Sequence, residues 1–422
     1  MSDAPPDPLA PLAAALAALP EQRRRRLRHF QPAGPGSLRA IGADAAAATA
    51  QPATTPATTP AAAPSGSRQP LLLDLASNDY LGFSQHPQLK AAASACIAEQ
   101  GVGAGASRLV SGTRPVHAEL ERRLARWLGR ERVLLFPSGF QANLAAVGAL
   151  ADRHSLVLVD RLIHHSLLVG VQATGARLQR FAHNDLEDLA QRLERARSAE
   201  PQRRLVVISE SLFSMEGTSP DATALAELCR RHAAALLLDE AHALGVLGPG
   251  GRGLGQGLAG VHLVSGTFGK AFGSGGAFLA ADGVVGEWLE QFSGPFRYST
   301  ALAPPLAAAA LAALELLEQE PGRGVALLQR ARRWRDGLED AGWPRPPGEG
   351  PILPLLVGGD ATALALQQRL EAAGLLSVAI RPPTVPEGSA RLRLVLRHDL
   401  AQGSLERLLG ALGPPAHPQE RS

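Results

Sequence analysis

Of the chain's 42 lysines and arginines, only Lys90 and Lys270 are lysines. A sequence that writes its cations as Arg has little use for an amine unless chemistry demands one. A guanidinium stays protonated and delocalised, so it cannot act as a nucleophile. A desolvated amine can lose its proton and condense with an aldehyde or ketone to form a Schiff base. Lys270 stands in Ser265-Gly266-Thr267-Phe268-Gly269-Lys270-Ala271-Phe272-Gly273, a small-residue loop after the apolar run 261–264. Lys90 stands in Gln85-His86-Pro87-Gln88-Leu89-Lys90-Ala91, which reads as the first turn of an ordinary helix. Lys270 is the candidate for chemistry.

Other polar motifs follow apolar runs in the same way. Ser138-Gly139-Phe140-Gln141-Ala142-Asn143 reads as a turn into a helix, where Gly139 permits close approach and the helix N-terminus offers free N–H groups to a phosphate. Asp160-Arg161-Leu162-Ile163-His164-His165-Ser166 comes next, then Glu210-Ser211-Leu212-Phe213-Ser214-Met215-Glu216-Gly217, then Asp239-Glu240-Ala241-His242. Each motif alone has an ordinary explanation: Asp239 as a helix cap, His242 as a loop histidine, Ser214 as a turn residue. An acid, histidines, hydroxyls and a lone lysine at successive strand ends form a constellation.

The elements that must position these groups alternate. The runs 133–136, 156–159, 205–208, 235–238 and 277–280 read as buried strands, with helical patterns at 116–128, 186–195 and 222–232 between them. Continuously apolar strands joined by helices imply an α/β fold, a mostly parallel central sheet covered by helices. In such sheets ligands gather at the carboxyl ends of the strands. A helix over 304–317 leads to a smaller α+β C-terminal domain with strands near 352–357 and 391–396. The expected units are 1–70, a short N-terminal helical segment; 71–300, the large domain; and 301–422, the C-terminal domain. Residues 45–67 are nearly all Ala, Thr and Pro, and read as a flexible insertion.

With 422 residues, a net charge of +3 and 45% hydrophobic residues, the composition is that of a soluble multidomain protein. The one basic run, Arg23 to Arg26 with Arg28, has no aromatic ladder or docking motif, so no nucleic acid is expected. A solvated helix end or a contact with an acidic substrate fits it better. Cys96 and Cys229 lack metal-ligand or disulfide spacing, so no metal is expected and a reducing cytoplasm is. No signal peptide or membrane span is expected, since the apolar stretch 12–19 is too short.

The order of motifs resembles the pyridoxal-phosphate enzymes of fold type I, and among them the α-oxoamine synthases, over roughly residues 73–412. The marks are Ser77-Asn78-Asp79-Tyr80-Leu81-Gly82, Asp239-Glu240-Ala241-His242 and Thr267-Phe268-Gly269-Lys270. Arg180-Phe181-Ala182-His183-Asn184-Asp185 and Ile380-Arg381-Pro382-Pro383-Thr384-Val385-Pro386 favour the branch of that family that serves biotin synthesis.

The resemblance implies a fold-type I transferase with pyridoxal 5'-phosphate as cofactor, Lys270 as its Schiff-base lysine and catalytic base, and Asp239 on the pyridine nitrogen. It implies His164 against the ring face, although Ile163 and His165 stand where the family often has Ser and Ala, leaving two neighbouring histidines for that role. It places His242 and Ser214 near the ring oxygen, Gly139, Phe140 and Thr267 around phosphate and ring, and Thr300 at the phosphate of a neighbouring subunit. Arg393 would take the amino-acid carboxylate bidentately, while Thr384 and an arginine of the N-terminal run, Arg26, would contact the acyl substrate. The implied enzyme is a homodimer with shared active sites, joining L-alanine to a pimeloyl thioester of CoA or an acyl-carrier protein. A sister synthase resembling glycine C-acetyltransferase, or a non-catalytic regulator on the same fold, are the alternatives.

Overall fold

The computed structural model describes residues 7–41 and 70–415. The insertion expected at 45–67 lies outside them. Its largest sheet has seven strands: β4 (Arg132–Phe136), β5 (Leu156–Asp160), β6 (Arg177–Phe181), β7 (Leu205–Glu210), β8 (Ala235–Asp239), β9 (Leu263–Thr267) and β10 (Ala277–Ala281), in the spatial order 4-10-9-8-7-5-6. β6, β5, β7, β8 and β9 pair in parallel, and β10 runs antiparallel to both of its neighbours.

Alternate residues of each strand serve two different cores, as a two-residue side-chain period requires. Leu156, Leu158, Leu205, Val207, Leu236 and Leu238 join one buried cluster, with helices Pro115–Leu128, Ala222–Arg231 and Pro304–Gln319. Val157, Val159, Val206, Ile208 and Leu237 join the other, with helices Gly139–Leu150 and His165–Thr174. Every residue of β5 and β7 is buried, which is why those strands carry unbroken apolar runs. Both cysteines are buried and free on helices Pro87–Gln100 and Ala222–Arg231.

Before the large sheet the chain forms helix α1 (Ala10–Ala18) and an antiparallel pair, β1 (Phe30–Pro32) with β2 (Ser37–Ala40). The N-terminal segment is therefore not only helical: β2 pairs with β3 (Leu71–Asp74), and β3 pairs in parallel with β12 (Leu375–Leu376) from the far end of the chain. A three-stranded antiparallel sheet of β11 (Ile352–Gly358), β14 (Ala390–Val395) and β13 (Val378–Ile380) completes the C-terminal part.

Candidate active site

The polar groups singled out in the sequence converge at the carboxyl ends of the central strands. Glu210, Asp239 and Thr267 are the last residues of β7, β8 and β9. Lys270 follows three residues later, in a loop fixed from below. Phe268 and Phe272 are fully buried with their rings edge to face, and Phe268 N–H donates to the Gly276 carbonyl at 2.9 Å. Gly273 closes the loop at φ +61°, where a Cβ would lie 2.3 Å from the Ser84 nitrogen, so only glycine fits.

Burial pushes the Lys270 amine down to about 8, against the pull of Asp239 and Glu210 and with help from Arg393. The amine can therefore lose its proton near neutral pH. Asp239 is buried, with Oδ1 accepting from Ala241 N–H and Oδ2 from the Asn143 side-chain amide, both at 2.9 Å. Glu210 is buried beside them and accepts from His164 N–H at 2.6 Å. Burial and the nearby Asp239 charge drive its carboxyl well above the usual range.

His164 caps helix His165–Thr174, its Nδ1 accepting from Ser166 N–H. Burial lowers its pKa, and Asp239 opposes that shift. Both neighbouring histidines keep solvent-exposed surface, but the His164 ring is tied to Ser166 within reach of the Asp239 and Lys270 charges, while His165 begins the helix. His242 is buried with Nδ1 2.5 Å from the Tyr80 hydroxyl. Burial first, then Lys270, Arg393 and His164, drive His242 well below the usual imidazole range. Burial also raises Tyr80, so the phenol keeps its proton and donates it to Nδ1, leaving the His242 proton on Nε2.

Arg393, on β14, is buried and held by two bonds: Nε to the Ser214 carbonyl at 2.6 Å and Nη2 to Asn78 Oδ1 at 2.9 Å. A guanidinium has five donors, so these bonds orient the fork without exhausting it. Asp79, which stands between Asn78 and Tyr80 in the chain, is held by Arg397, whose guanidinium contacts Asp74 at 2.9 Å, Asp79 at 3.1 Å and Asp399 at 2.9 Å.

Gly139 opens helix Gly139–Leu150, which Ser138 caps by accepting from Gln141 N–H. A Cβ on Gly139 would stand 4.0 Å from the Thr267 hydroxyl, and one on Gly269 would stand 3.6 Å from it. Bare backbone and one hydroxyl thus face each other beside a helix N-terminus, a cradle suited to a phosphate. With an amine at Lys270, a carboxylate at Asp239 and an imidazole face at His164, these residues fit pyridoxal phosphate. Phe140 is half-exposed at the same helix start. Thr300 is exposed, bridged to Ser107, and its neighbour Ser299 accepts from Gln141 at 3.0 Å.

One residue lies apart. Arg26 is paired with Glu21 at 2.7 Å and its side chain is 78% exposed, whereas Arg25 donates to the Thr384 hydroxyl at 2.9 Å. Arg23 reaches the same loop through Glu387. The strap laid over Thr384 thus presents Arg25, not Arg26, because the extended backbone after Arg23 sends adjacent side chains to opposite sides.

Three residues had no role assigned from sequence: Asn143, Glu210 and Tyr80. Each lies inside a motif already noted, Glu210 at a strand end, Asn143 one turn into a capped helix and Tyr80 in the loop after β3, and that position was the available signal. Among the described residues no cluster of His, Cys, Asp and Glu is arranged for a metal, and no helix is long and apolar enough to cross a membrane.

Residues 71–412 match the family model for aminotransferase class I and II. An 8-amino-7-oxononanoate synthase from Anaeromyxobacter dehalogenans is 45% identical, covering 82% of this chain and 89% of its own. One from Chromohalobacter salexigens is 44% identical, covering 81% of this chain and 88% of its own. Among solved structures, Sphingomonas wittichii serine palmitoyltransferase superposes with a TM-score of 0.78 at 30% identity, covering 81% of this chain and 86% of that one. An 8-amino-7-oxononanoate synthase from Francisella tularensis superposes with a TM-score of 0.70 at 26% identity, covering 81% and 96%. The chain belongs to the aminotransferase class I and II family, and its fold is that of the fold-type I enzymes.

Proposed function

We propose that the chain condenses L-alanine with a pimeloyl thioester, releasing CO2 and a free thiol, to form 8-amino-7-oxononanoate in biotin synthesis. The observation that carries this reading is the Lys270 amine, lowered to about 8 by burial within reach of the Asp239 and His164 charges, in a chain 45% identical to synthases of that name. Bound pyridoxal phosphate supplies the electron sink for charge released at the amino-acid Cα. Lys270 holds the cofactor at rest, and its Nζ takes the Cα proton and later returns one. Asp239, braced by Asn143 and Ala241, keeps a proton on the pyridine nitrogen. His242, with Nε2–H free of Tyr80, would donate to the cofactor's ring oxygen, and Ser214 would stand near it. Gly139, Phe140 and Thr267 hold the phosphate and ring.

Arg393 takes the alanine carboxylate until it departs as CO2. Alanine Cα joins the acyl carbonyl carbon, and the thiol leaves from the same carbon. Arg25 and Thr384 face the acyl chain. Thr300 completes the phosphate site of a second copy, so the working unit is a homodimer. CoA and a carrier protein both satisfy the chemistry of the acyl donor, and the cytoplasm is the compartment consistent with it.

The likeness to serine palmitoyltransferase favours a second reading, a sister synthase using glycine or serine with another acyl thioester. One experiment separates the two: product mass after incubating the cofactor-loaded enzyme with pimeloyl-CoA, or the pimeloyl-carrier protein, and alanine, glycine or serine. The alanine product alone supports the first reading. A glycine or serine product moves the chain to the sister branch, and no product with any pairing overturns the first reading.

A further inference from the structure

We propose that Asn143 and Ser166 are positioning residues that hold His164 neutral, with its proton on Nε2, and brace its ring against the Asp239 carboxylate. Asn143 is buried, and its Oδ1 accepts from the Ser265 hydroxyl at 2.6 Å. Its Nδ2 donates twice, to Asp239 Oδ2 and to Ser166 Oγ, both at 2.9 Å. Turning the amide over would set a carbonyl against a carboxylate, two acceptors facing each other, so the orientation is fixed.

Ser166 Oγ, having accepted from Asn143, sends its own proton to His164 Nδ1 at 2.7 Å. The Ser166 backbone N–H, which can only donate, reaches the same nitrogen at 3.3 Å. Two donors converge on Nδ1, which leaves no room there for a proton, and the neutral imidazole carries its proton on Nε2. One buried amide therefore braces both the acid meant for the ring nitrogen and the imidazole meant for the ring face.

Other charges bear on the same ring. Asp239 on β8 favours an imidazolium, whereas Lys270 in the loop after β9 and the adjacent His165 disfavour one. Glu210 on β7 accepts from the His164 backbone, and His242, after β8, is itself disfavoured as a cation by His164. Removing the two donors that hold the neutral form would raise the His164 pKa.

The effect on turnover rests on the synthase reading, but the tautomer does not. The test is a long-range proton–nitrogen spectrum of the histidine-labelled chain without cofactor, with His164→Gln assigning the signal. The expected wild-type pattern is an unprotonated Nδ1 and a protonated Nε2. In Ser166→Ala the His164 titration should move up by about half to one pH unit, and Ser166→Thr, which keeps the hydroxyl, should restore it.

In the loaded enzyme, the acid limb of kcat/KM should move by the same amount in Ser166→Ala. A wild-type ring protonated on Nδ1 overturns the proposal without any variant. So does an unmoved titration in Ser166→Ala. A confirmed tautomer in a chain that forms no alanine product leaves this inference standing and defeats the synthase reading alone.

Discussion

The Tyr80 hydroxyl lies 2.5 Å from His242 Nδ1, joining the Ser77-to-Gly82 segment to the residues after β8 inside a closed environment. Tyr80 is fully buried and His242 nearly so, and both are held in their neutral forms by burial. The pair fixes one tautomer of His242 and leaves its Nε2–H for an acceptor.

Tyr80→Phe should keep the shape of the site but free His242 to place its proton on either nitrogen. Losing one hydrogen bond of this kind costs about 1 kcal/mol. The expected outcome is a fall of roughly 5- to 10-fold in kcat with a smaller change in KM for alanine. Steady-state kinetics beside a thermal melt separates this from loss of folding.

The lowered Lys270 amine gives a pH dependence with a definite sign. Only the neutral amine attacks an aldehyde, and burial moves its deprotonation down from 10.5 to about 8. The second-order rate of pyridoxal phosphate capture by the empty chain should therefore rise with pH, about tenfold per unit below 8, and level off above it. Stopped-flow absorbance across pH 6 to 9.5 measures this (roughly the range where the amine titrates). A flat profile, or a limb near 10.5, would show that the site does not desolvate the amine.

Much of this site was legible before the fold. β5 and β7 are buried on both faces, so their sequences are unbroken apolar runs and their final residues could be read as ligand-facing. β6 was not legible: it lies at the sheet edge, only Phe181 of its five residues is buried, and Arg-Leu-Gln-Arg-Phe has no continuous apolar run. Glu210 went unassigned because its role depends on β7 lying beside β8, a spatial order that the linear sequence does not carry. Asn143 was missed for a like reason, since the three groups it joins lie 23, 96 and 122 residues away. The choice between Arg25 and Arg26 turned on backbone direction within a run of four identical side chains.

That choice is testable. Arg25→Ala should raise KM for the pimeloyl thioester by roughly tenfold with little change in KM for alanine, because its partner Thr384 faces the proposed acyl site. Arg26→Ala should be nearly silent, since its exposed pair with Glu21 is worth about 0–1 kcal/mol. The opposite pattern would restore Arg26 to the acyl site.

Arg397 holds three carboxylates, and Asp74 among them is wholly buried. Arg397→Met would leave buried negative charge unpaired, at a cost of about 3–5 kcal/mol. The expected result is a large drop in melting temperature, together with loss of the Asn78 and Tyr80 contacts that orient Arg393 and His242. Differential scanning calorimetry, with Arg333→Met as a surface control, checks this.

The central claim is that Lys270, and not Lys90, carries the cofactor. With two lysines in the chain, one measurement decides it: load the protein with pyridoxal phosphate, reduce with borohydride, digest, and weigh the peptides. The expected result is the reduced cofactor's mass on the peptide containing Lys270 alone, absent from the Lys270→Ala protein. The mass on the Lys90 peptide, or on neither, would contradict the claim.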